Sequence, residues 1–225
     1  MRLPYAPATP PPTAPAATAA IYARIAARRA PRPPIPLDRA LLHSPAVADG
    51  WNAFLGAVRG RTVVPASILE LAVCRVAVLN GAVYEWNVHA ALALRAGVQA
   101  EGLRVCRTVG VGGGEGEVEK GMEIEGGKEG DGEGSGEGEK DGLGEREWAV
   151  LRYADQMTRS VEVDDAVFAR LKALFTDREA VEITACVAAY NCVSRFLVAL
   201  DVGEWNGTEM KSVEELVEEV RAEKA

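Results

Sequence analysis

The most informative part of the chain is residues 63–98, which read VVPASILELAVCRVAVLNGAVYEWNVHAALALRAGV. Apolar residues recur here at the three- and four-residue spacing of a helix, on both sides of Asn80-Gly81. An Asn-Gly dipeptide ends one helix and permits a sharp turn into the next. The pattern therefore predicts a helical hairpin, with Pro65 in the first turn of its first helix.

Three titratable side chains on this hairpin indicate acid–base chemistry. Glu85 and His89 are four residues apart, so they share a helical face and we expect a carboxylate and an imidazole within hydrogen-bond reach. Glu70 lies in a strongly apolar helix and needs a partner there, for which His89 is one candidate. The helix dipole and burial act in opposite directions on Glu85, so the sequence gives no direction for its pKa.

Several short motifs resemble one known family, the carboxymuconolactone decarboxylase and alkyl hydroperoxidase D (AhpD-like) superfamily. The main motif is G-A-x-Y-E-W-x-x-H, which ends at His89. The resemblance covers residues 37 to about 104 and 148 to about 205. It also includes the phrases Leu42-His43-Ser44-Pro45, Gly50-Trp51-Asn52 and Ala189-Tyr190-Asn191.

The hydroperoxidase branch carries a glutamate, then C-x-x-C, then a histidine four residues after the second cysteine. Counted back from His89, its cysteine positions are Ala82 and Glu85, so a nucleophilic and a resolving thiol are both missing there. The resemblance is therefore to the decarboxylase branch, and it implies proton transfer without metal or organic cofactor. Glu85, His89 and Glu70 are the predicted catalytic residues.

The substrate expected from this resemblance is a small carboxylic acid or a carboxylated lactone. Arg75 or Arg195 could hold its carboxylate, and Asn191 shares a helical face with Arg195. Tyr84 and Trp86 are expected to wall the site. Decarboxylation, isomerisation and dehydration all remain open. Two alternatives to such a lyase or isomerase are an AhpD-like peroxidase and a non-catalytic oligomeric binding protein of the same fold.

Composition excludes several other classes of protein. The four cysteines are irregularly spaced and there are only two histidines, which argues against a metal site. The net charge of −8 equals that of residues 110–144 alone, and no basic, aromatic-rich surface suggests nucleic acid. No apolar run approaches the ~20 residues of a membrane span. We expect a cytoplasmic protein, although an acid-free, arginine-containing N-terminus resembles a mitochondrial transit peptide.

The predicted organisation is an all-α domain of the AhpD-like fold over residues 37–205, in two helical blocks. A disordered, acidic, glycine-rich insertion separates the blocks at residues 108–144. Residues 1–36, rich in proline and alanine, are predicted to be a flexible or extended tail, or to contain a short helix at 21–29. Residues 206–225 are predicted to form a charged, solvated helix opened by a capping box at Ser212. The resemblance implies a homo-oligomer, either a dimer, a trimer or a hexamer.

Overall fold

The computed structural model describes residues 1–108 and 141–223. The described residues contain ten α-helices and no strand, which confirms the predicted all-α fold. The helices are α1 (Ala16–Arg29), α2 (Pro36–Leu41), α3 (Pro45–Gly60), α4 (Ala66–Leu79), α5 (Val83–Arg95), α6 (Ala100–Thr108), α7 (Glu145–Arg159), α8 (Asp165–Leu174), α9 (Asp177–Leu200) and α10 (Val213–Ala222).

Helix α4 lies at the centre of the molecule. It packs against α5, α6, α7 and α9, and all its residues from Ile68 to Ala77 are buried. A helix that is apolar on every side is stable only in such an interior position. Gly81 has φ +61°, a left-handed conformation that glycine adopts without steric cost, and it turns the chain directly into α5. The predicted hairpin is therefore present, and it forms the core of the fold.

Helix α9 is the other long core helix. The Thr176 side chain accepts a hydrogen bond from the Glu179 amide, and the Glu179 carboxylate accepts one from the Thr176 amide, so α9 begins with a capping box. Among the described helices, α9 alone is long and apolar enough to cross a membrane by length and composition. Its packing against α4 and α7 accounts for that composition within the folded core.

The N-terminal region contains the helix that was the alternative to an extended tail, and this helix is longer than the predicted 21–29. Residues 16–29 form α1, which packs against α3 and buries Tyr22 and Ile25 in the main core. Ala6 is also buried, and the Arg39 side chain donates a hydrogen bond to its carbonyl. The prolines lie outside α1 and do not interrupt it, which explains why a proline-rich composition did not prevent helix formation here.

The C-terminal helix is not simply solvated. One face of α10 buries Val213, Leu216 and Val220 against α5 and α6, while its charged residues point outward. The predicted capping box is present, since the Ser212 side chain accepts a hydrogen bond from the Glu215 amide. Periodicity at three and four residues was the signal for this buried face.

Most of the predicted disordered insertion lies outside the described residues, which stop at Thr108 and resume at Asp141. Its two ends are described. Thr108 is the last residue of α6, and Leu143, only 2% exposed, packs in the cluster beneath α10. Leu143 Cδ2 would lie 2.5 Å from a Cβ built on Gly102, so a glycine in α6 makes room for it.

Candidate active site

The α4–α5 hairpin brings Glu70 and His89 together. Glu70 is 6% exposed on α4, and its Oε2 lies 2.7 Å from Nδ1 of His89 on α5. The two helices run antiparallel on either side of Gly81, so residues well separated in sequence become neighbours. The expectation that a buried Glu70 needs a partner, with His89 as a candidate, is thus met by this contact.

Arg59 and Tyr190 complete the cluster from two further helices. Arg59, in the last turn of α3, donates one hydrogen bond to Glu70 Oε1 at 2.7 Å and another to the Tyr190 hydroxyl at 2.8 Å. The Tyr190 ring, on α9, meets the His89 ring edge-on with centroids 4.9 Å apart. Both oxygens of Glu70 are therefore engaged, and four helices fix the orientation of His89.

The electrostatics of the cluster favour a neutral imidazole. Burial lowers the pKa of His89, and the opposing effect of the Glu70 carboxylate does not fully restore it. For Glu70, burial acts to raise the pKa, but the contacts with His89 and Arg59 outweigh it, so the pKa of this carboxyl is lowered. Glu70 is thus a carboxylate beside a neutral His89 near pH 7.

This charge state fixes the tautomer of His89. A carboxylate accepts hydrogen bonds only, so Nδ1 carries the proton that is donated to Glu70. Arg59 Nη1 lies 3.4 Å from the same Nδ1, and because both atoms then bear protons, that contact is not a hydrogen bond. Within the described residues, the polar contacts of His89 involve Nδ1 only. Nε2 is therefore left with an unprotonated lone pair, the atom a general base needs.

Glu85 does not pair with His89 as the sequence suggested. It is 1% exposed, and neither of its carboxyl oxygens has a hydrogen-bond partner within the described residues. Burial raises its pKa well above the usual value, which favours the protonated, uncharged form of the side chain. Four-residue spacing permits a contact between two side chains but does not enforce one. Nδ1 of His89 is instead hydrogen-bonded to Glu70.

The two aromatic neighbours of Glu85 face other parts of the molecule. Trp86 is fully buried under α10, where its Nε1 donates a hydrogen bond to the Lys211 carbonyl at 2.9 Å. Tyr84 packs on the chain that follows α9, since a Cβ on Gly203 would lie 2.8 Å from its Cδ2. Successive residues of a helix point about 100° apart. Neither ring walls the Glu70–His89 cluster, contrary to expectation.

The predicted carboxylate-binding arginines also lie elsewhere. Arg75 is 1% exposed and makes structural contacts. It forms an ion pair with Asp155 and donates a 2.6 Å hydrogen bond to the Cys106 carbonyl. Arg195 lies on the exposed side of α9 and bonds to the carbonyl of Asn191, one turn earlier. A buried arginine between packed helices has to satisfy its donors locally, which explains the misassignment of Arg75.

Asn191 has a structural role in the described contacts. Its amide nitrogen donates to Thr158 on α7 at 2.9 Å, and its side-chain oxygen accepts from Asn80 at 3.1 Å. It thereby ties the end of α4 to α7 and α9, away from His89.

Sequence reasoning missed Arg59 and gave Tyr190 no role. Arg59 and Tyr190 are 131 residues apart, so no local periodicity relates them. The available signal was indirect: a carboxylate in a helix as apolar as α4 requires a cation, and Arg59 ends the preceding helix. Tyr190 appeared only within the motif Ala189-Tyr190-Asn191.

A small cavity of about 30 Å³ adjoins the cluster. Its polar lining comes from Arg59, Glu70 and Tyr190, with Cys186 and the aliphatic side chains of Val58, Leu69 and Val73 around them. A space of this size holds only one or two water molecules. On the solvent side of the cluster, the Arg59 side chain is 36% exposed and the His89 side chain 12% exposed.

Three of the four thiols are buried, and the described acidic groups form no cluster of metal ligands. Burial raises the pKa of Cys74, of Cys186 and, to about 12, of Cys106, so these three are uncharged thiols. Cys192 is exposed on α9. Over residues 1–108 and 141–223, no three His, Cys, Asp or Glu side chains are grouped as metal ligands.

Comparisons with known proteins agree with this architecture. Residues 45–120 match the model of the carboxymuconolactone decarboxylase family. No curated protein matches the chain significantly. Two solved structures share the fold. One is a protein of unknown function from Agrobacterium tumefaciens that has been suggested to be an antioxidant defence protein AhpD (19% identity, TM-score 0.53, covering 71% of this chain and 90% of that one).

The other is an uncharacterised peroxidase-related protein from Silicibacter sp. TM1040 (16% identity, TM-score 0.54, covering 76% of this chain and 78% of that one). At these identities the two structures show the fold alone. The family match covers both helices of the hairpin that carries Glu70 and His89. Together, the match over residues 45–120 and the shared fold support a relationship to the carboxymuconolactone decarboxylase/AhpD-like superfamily.

Proposed function

We propose that the protein is a cofactor-independent enzyme that transfers protons on a carboxylated lactone or a similar enolisable acid, with His89 as the acid–base residue. The observation that carries this proposal is the 2.7 Å contact between His89 Nδ1 and Glu70, which leaves Nε2 available to a substrate. Glu70 holds the ring in one tautomer and stabilises the imidazolium that forms when Nε2 takes up a proton.

The chemistry of the cluster suits reactions that pass through an enolate. As a base, neutral His89 removes a proton from the carbon next to a lactone carbonyl, and the electron pair is delocalised onto the carbonyl oxygen. As an acid, the resulting imidazolium returns that proton to another carbon of the enolate, which completes an isomerisation. In a decarboxylation, the carbon–carbon bond to the carboxylate breaks, CO₂ leaves, and protonated His89 supplies the proton to carbon.

Arg59 has a supporting part in this proposal. Its guanidinium is bonded to Glu70 and Tyr190 and is about one-third exposed, so it fixes the cluster from the solvent side. A cation at the entrance also stabilises an enolate oxygen that develops near His89. Tyr190, whose pKa is raised by burial, stays protonated and packs against the imidazole edge.

Peroxide reduction is less well supported by the same geometry. It requires a thiolate, and the residues at the two thiol positions of the hydroperoxidase branch are Ala82 and Glu85. The described thiols near the cluster, Cys186 and Cys74, have raised pKa values because they are buried. Cys74 has the buried thiol Cys106 near it, but burial raises the pKa of both, which disfavours the thiolate that attack on a peroxide requires.

The test is a substrate screen with matched variants. Carboxylated lactones, beginning with 4-carboxymuconolactone, are incubated with wild-type protein, and CO₂ release and the ultraviolet spectrum of the lactone are followed. His89→Asn is compared with His43→Asn, a change at the other histidine, which is exposed and bonds to the Pro4 carbonyl. Turnover by wild type and His43→Asn but not by His89→Asn supports the proposal. Equal rates in all three proteins would refute it.

Peroxide consumption is measured in parallel, with and without prior alkylation of the thiols. A fast reaction with peroxide that alkylation abolishes would establish the peroxidase alternative instead.

A further inference from the structure

Arg28, in the last turn of α1, has an unusual environment for an arginine. Its side chain crosses to α3, where a Cβ on Gly56 would lie 3.6 Å from its Cδ and 3.8 Å from its Nη1. Its only hydrogen bond within the described residues is a long one, 3.5 Å, from Nη1 to the Asn52 carbonyl. Its Nε is buried and has no partner there.

Other arginines of the same helix are paired. Arg24 forms a bidentate ion pair with Asp49. Arg29 forms a bidentate ion pair with Asp38, with hydrogen bonds of 2.7 and 2.8 Å. Within the described residues, no carboxylate lies within ion-pair distance of Arg28. Asp38 favours the charge of Arg28 only at longer range, and burial together with the neighbouring Arg29 lowers the pKa of Arg28. Arg28 is therefore a half-buried cation whose charge no nearby acid balances.

This cation lies next to the candidate active site. Gly56, over which Arg28 lies, is three residues before Arg59, and residues at this spacing are neighbours on one helical face. The positive charge of Arg59 contributes to lowering the pKa of Arg28, so Arg28 lies near the residue that bonds to Glu70 and Tyr190.

When the charges around the cluster are paired, the positive charge of Arg28 remains without a partner. Glu70 and Arg59 neutralise each other, His89 is neutral, and Asp38 is engaged by Arg29. The face of the molecule beside His89 therefore carries one positive charge without a counter-charge. An anionic ligand at this position recovers the lost pairing energy, and a carboxylate matches the planar donor edge of a guanidinium.

We propose that Arg28 binds the carboxylate of the substrate and thereby orients the rest of the molecule toward His89. The proposal rests on the proposed function for the class of ligand, a small organic acid, and it reassigns to Arg28 the role expected of Arg75 or Arg195. The Nε–H of Arg28 is a buried donor without a partner among the described residues, and a carboxylate oxygen is the kind of acceptor that it lacks.

Binding of cis,cis-muconate, measured by isothermal titration calorimetry, tests the proposal without reference to turnover. Arg28→Gln keeps the length and polarity of the side chain but removes its charge, and we expect it to raise the dissociation constant by about tenfold or more. Arg24→Gln, a change one turn earlier on the same helix, is the matched control and should alter the constant by less than about twofold. The neutral dimethyl ester should bind equally to wild type and Arg28→Gln.

Two further variants separate the possible failures. Arg28→Lys keeps the charge but lacks the two parallel N–H donors of the guanidinium. Its affinity for muconate should therefore fall between those of wild type and Arg28→Gln, even if the glutamine variant is unstable. Arg24→Lys, the same change one turn earlier on α1, should keep the affinity of wild type for muconate. If no lactone is turned over but muconate binding still depends on Arg28, the proposed function is wrong, whereas the assignment of Arg28 as a carboxylate-binding residue is supported.

Equal muconate affinity in wild type and Arg28→Gln, or an equal loss in Arg24→Gln, would overturn the assignment. So would the absence of saturable muconate binding to wild type at about 10 mM, because a paired guanidinium–carboxylate contact beside His89 should bind more tightly than that.

Discussion

His89 and Glu70 are nineteen residues apart in the sequence, and Nδ1 of one lies 2.7 Å from Oε2 of the other. This contact joins α4 to α5 on either side of the Gly81 turn. Arg59 engages the second oxygen of Glu70. Because each oxygen of the carboxylate has its own partner, neither Glu70 nor the His89 ring can rotate without breaking a charged hydrogen bond.

The first prediction concerns turnover. Glu70→Gln and His89→Asn should each reduce kcat by roughly a hundredfold or more on any accepted substrate, which is the usual contribution of a general acid or base. The double variant should lose about as much as either single variant, because residues that act as a unit are non-additive. Rates are normalised to the folded fraction by circular dichroism. Additive losses would mean that the two residues act independently.

The second prediction concerns the pKa of His89. Arg59 disfavours the imidazolium, so Arg59→Met should raise this pKa toward or beyond its ordinary value of 6.5. The imidazole resonances are followed by NMR through a pH titration, and His43 serves as an internal reference because the chain has only two histidines. Arg61→Met, at the exposed residue that follows α3, is the matched control and should shift neither histidine. An unchanged His89 titration in Arg59→Met would show that Arg59 does not set the charge state.

The third prediction uses pH to identify the reaction. The pKa of His89 is below its usual value, so the base form is present at neutral pH. For an isomerisation begun by neutral His89, kcat/KM should be constant from about pH 7 to 8 and should fall as pH drops through that pKa. For a decarboxylation in which the imidazolium donates, kcat/KM should fall as pH rises through the same pKa. A profile without this ionisation would exclude His89 from the rate-limiting proton transfer.

The fourth prediction concerns Glu85 and stability. Its pKa is raised in the folded protein, so between the unfolded value near 4.5 and the folded value the native state holds more protons than the unfolded state. The contribution of Glu85 to stability is thus fully present below about pH 4.5 and is lost as pH rises through the folded pKa. Glu85→Met removes the titration and the unpaired oxygens, so it should raise Tm at pH 8 by a few degrees, ~2–6 °C, and by less at pH 5.

The same variant tests the catalytic role that the sequence suggested for Glu85. If Glu85 is only a buried neutral acid, Glu85→Met should keep near-normal turnover per folded molecule. A large loss of kcat with intact folding would instead show that the buried acid delivers a proton to the reaction.

The fold was largely predictable because its determinants are local. Pro65, the Asn80-Gly81 turn and apolar periodicity predicted the α4–α5 hairpin, and the structure contains it. The burial of α10 and the folding of α1 onto α3 were underestimated. Both depend on which apolar faces meet in three dimensions, and composition does not contain that information.

The candidate site was only partly predictable, for a related reason. Glu70 and His89 flank one short turn, so their encounter follows from a hairpin. Arg59, Tyr190 and Arg28 come from three separate helices and meet only in the folded chain. The residues adjacent to Glu85 were assigned to the site by proximity in sequence, but a helix turns neighbouring side chains such as Trp86 toward a different face.

The distribution of the four thiols offers a practical advantage. Cys74, Cys106 and Cys186 are buried, and Cys192 on α9 is the one exposed cysteine of the chain. A maleimide dye should therefore attach at a single position in the native, unmutated protein. Mixing donor- and acceptor-labelled samples would then report by resonance energy transfer whether copies of the chain associate, and how fast they exchange, under the same conditions in which turnover is measured.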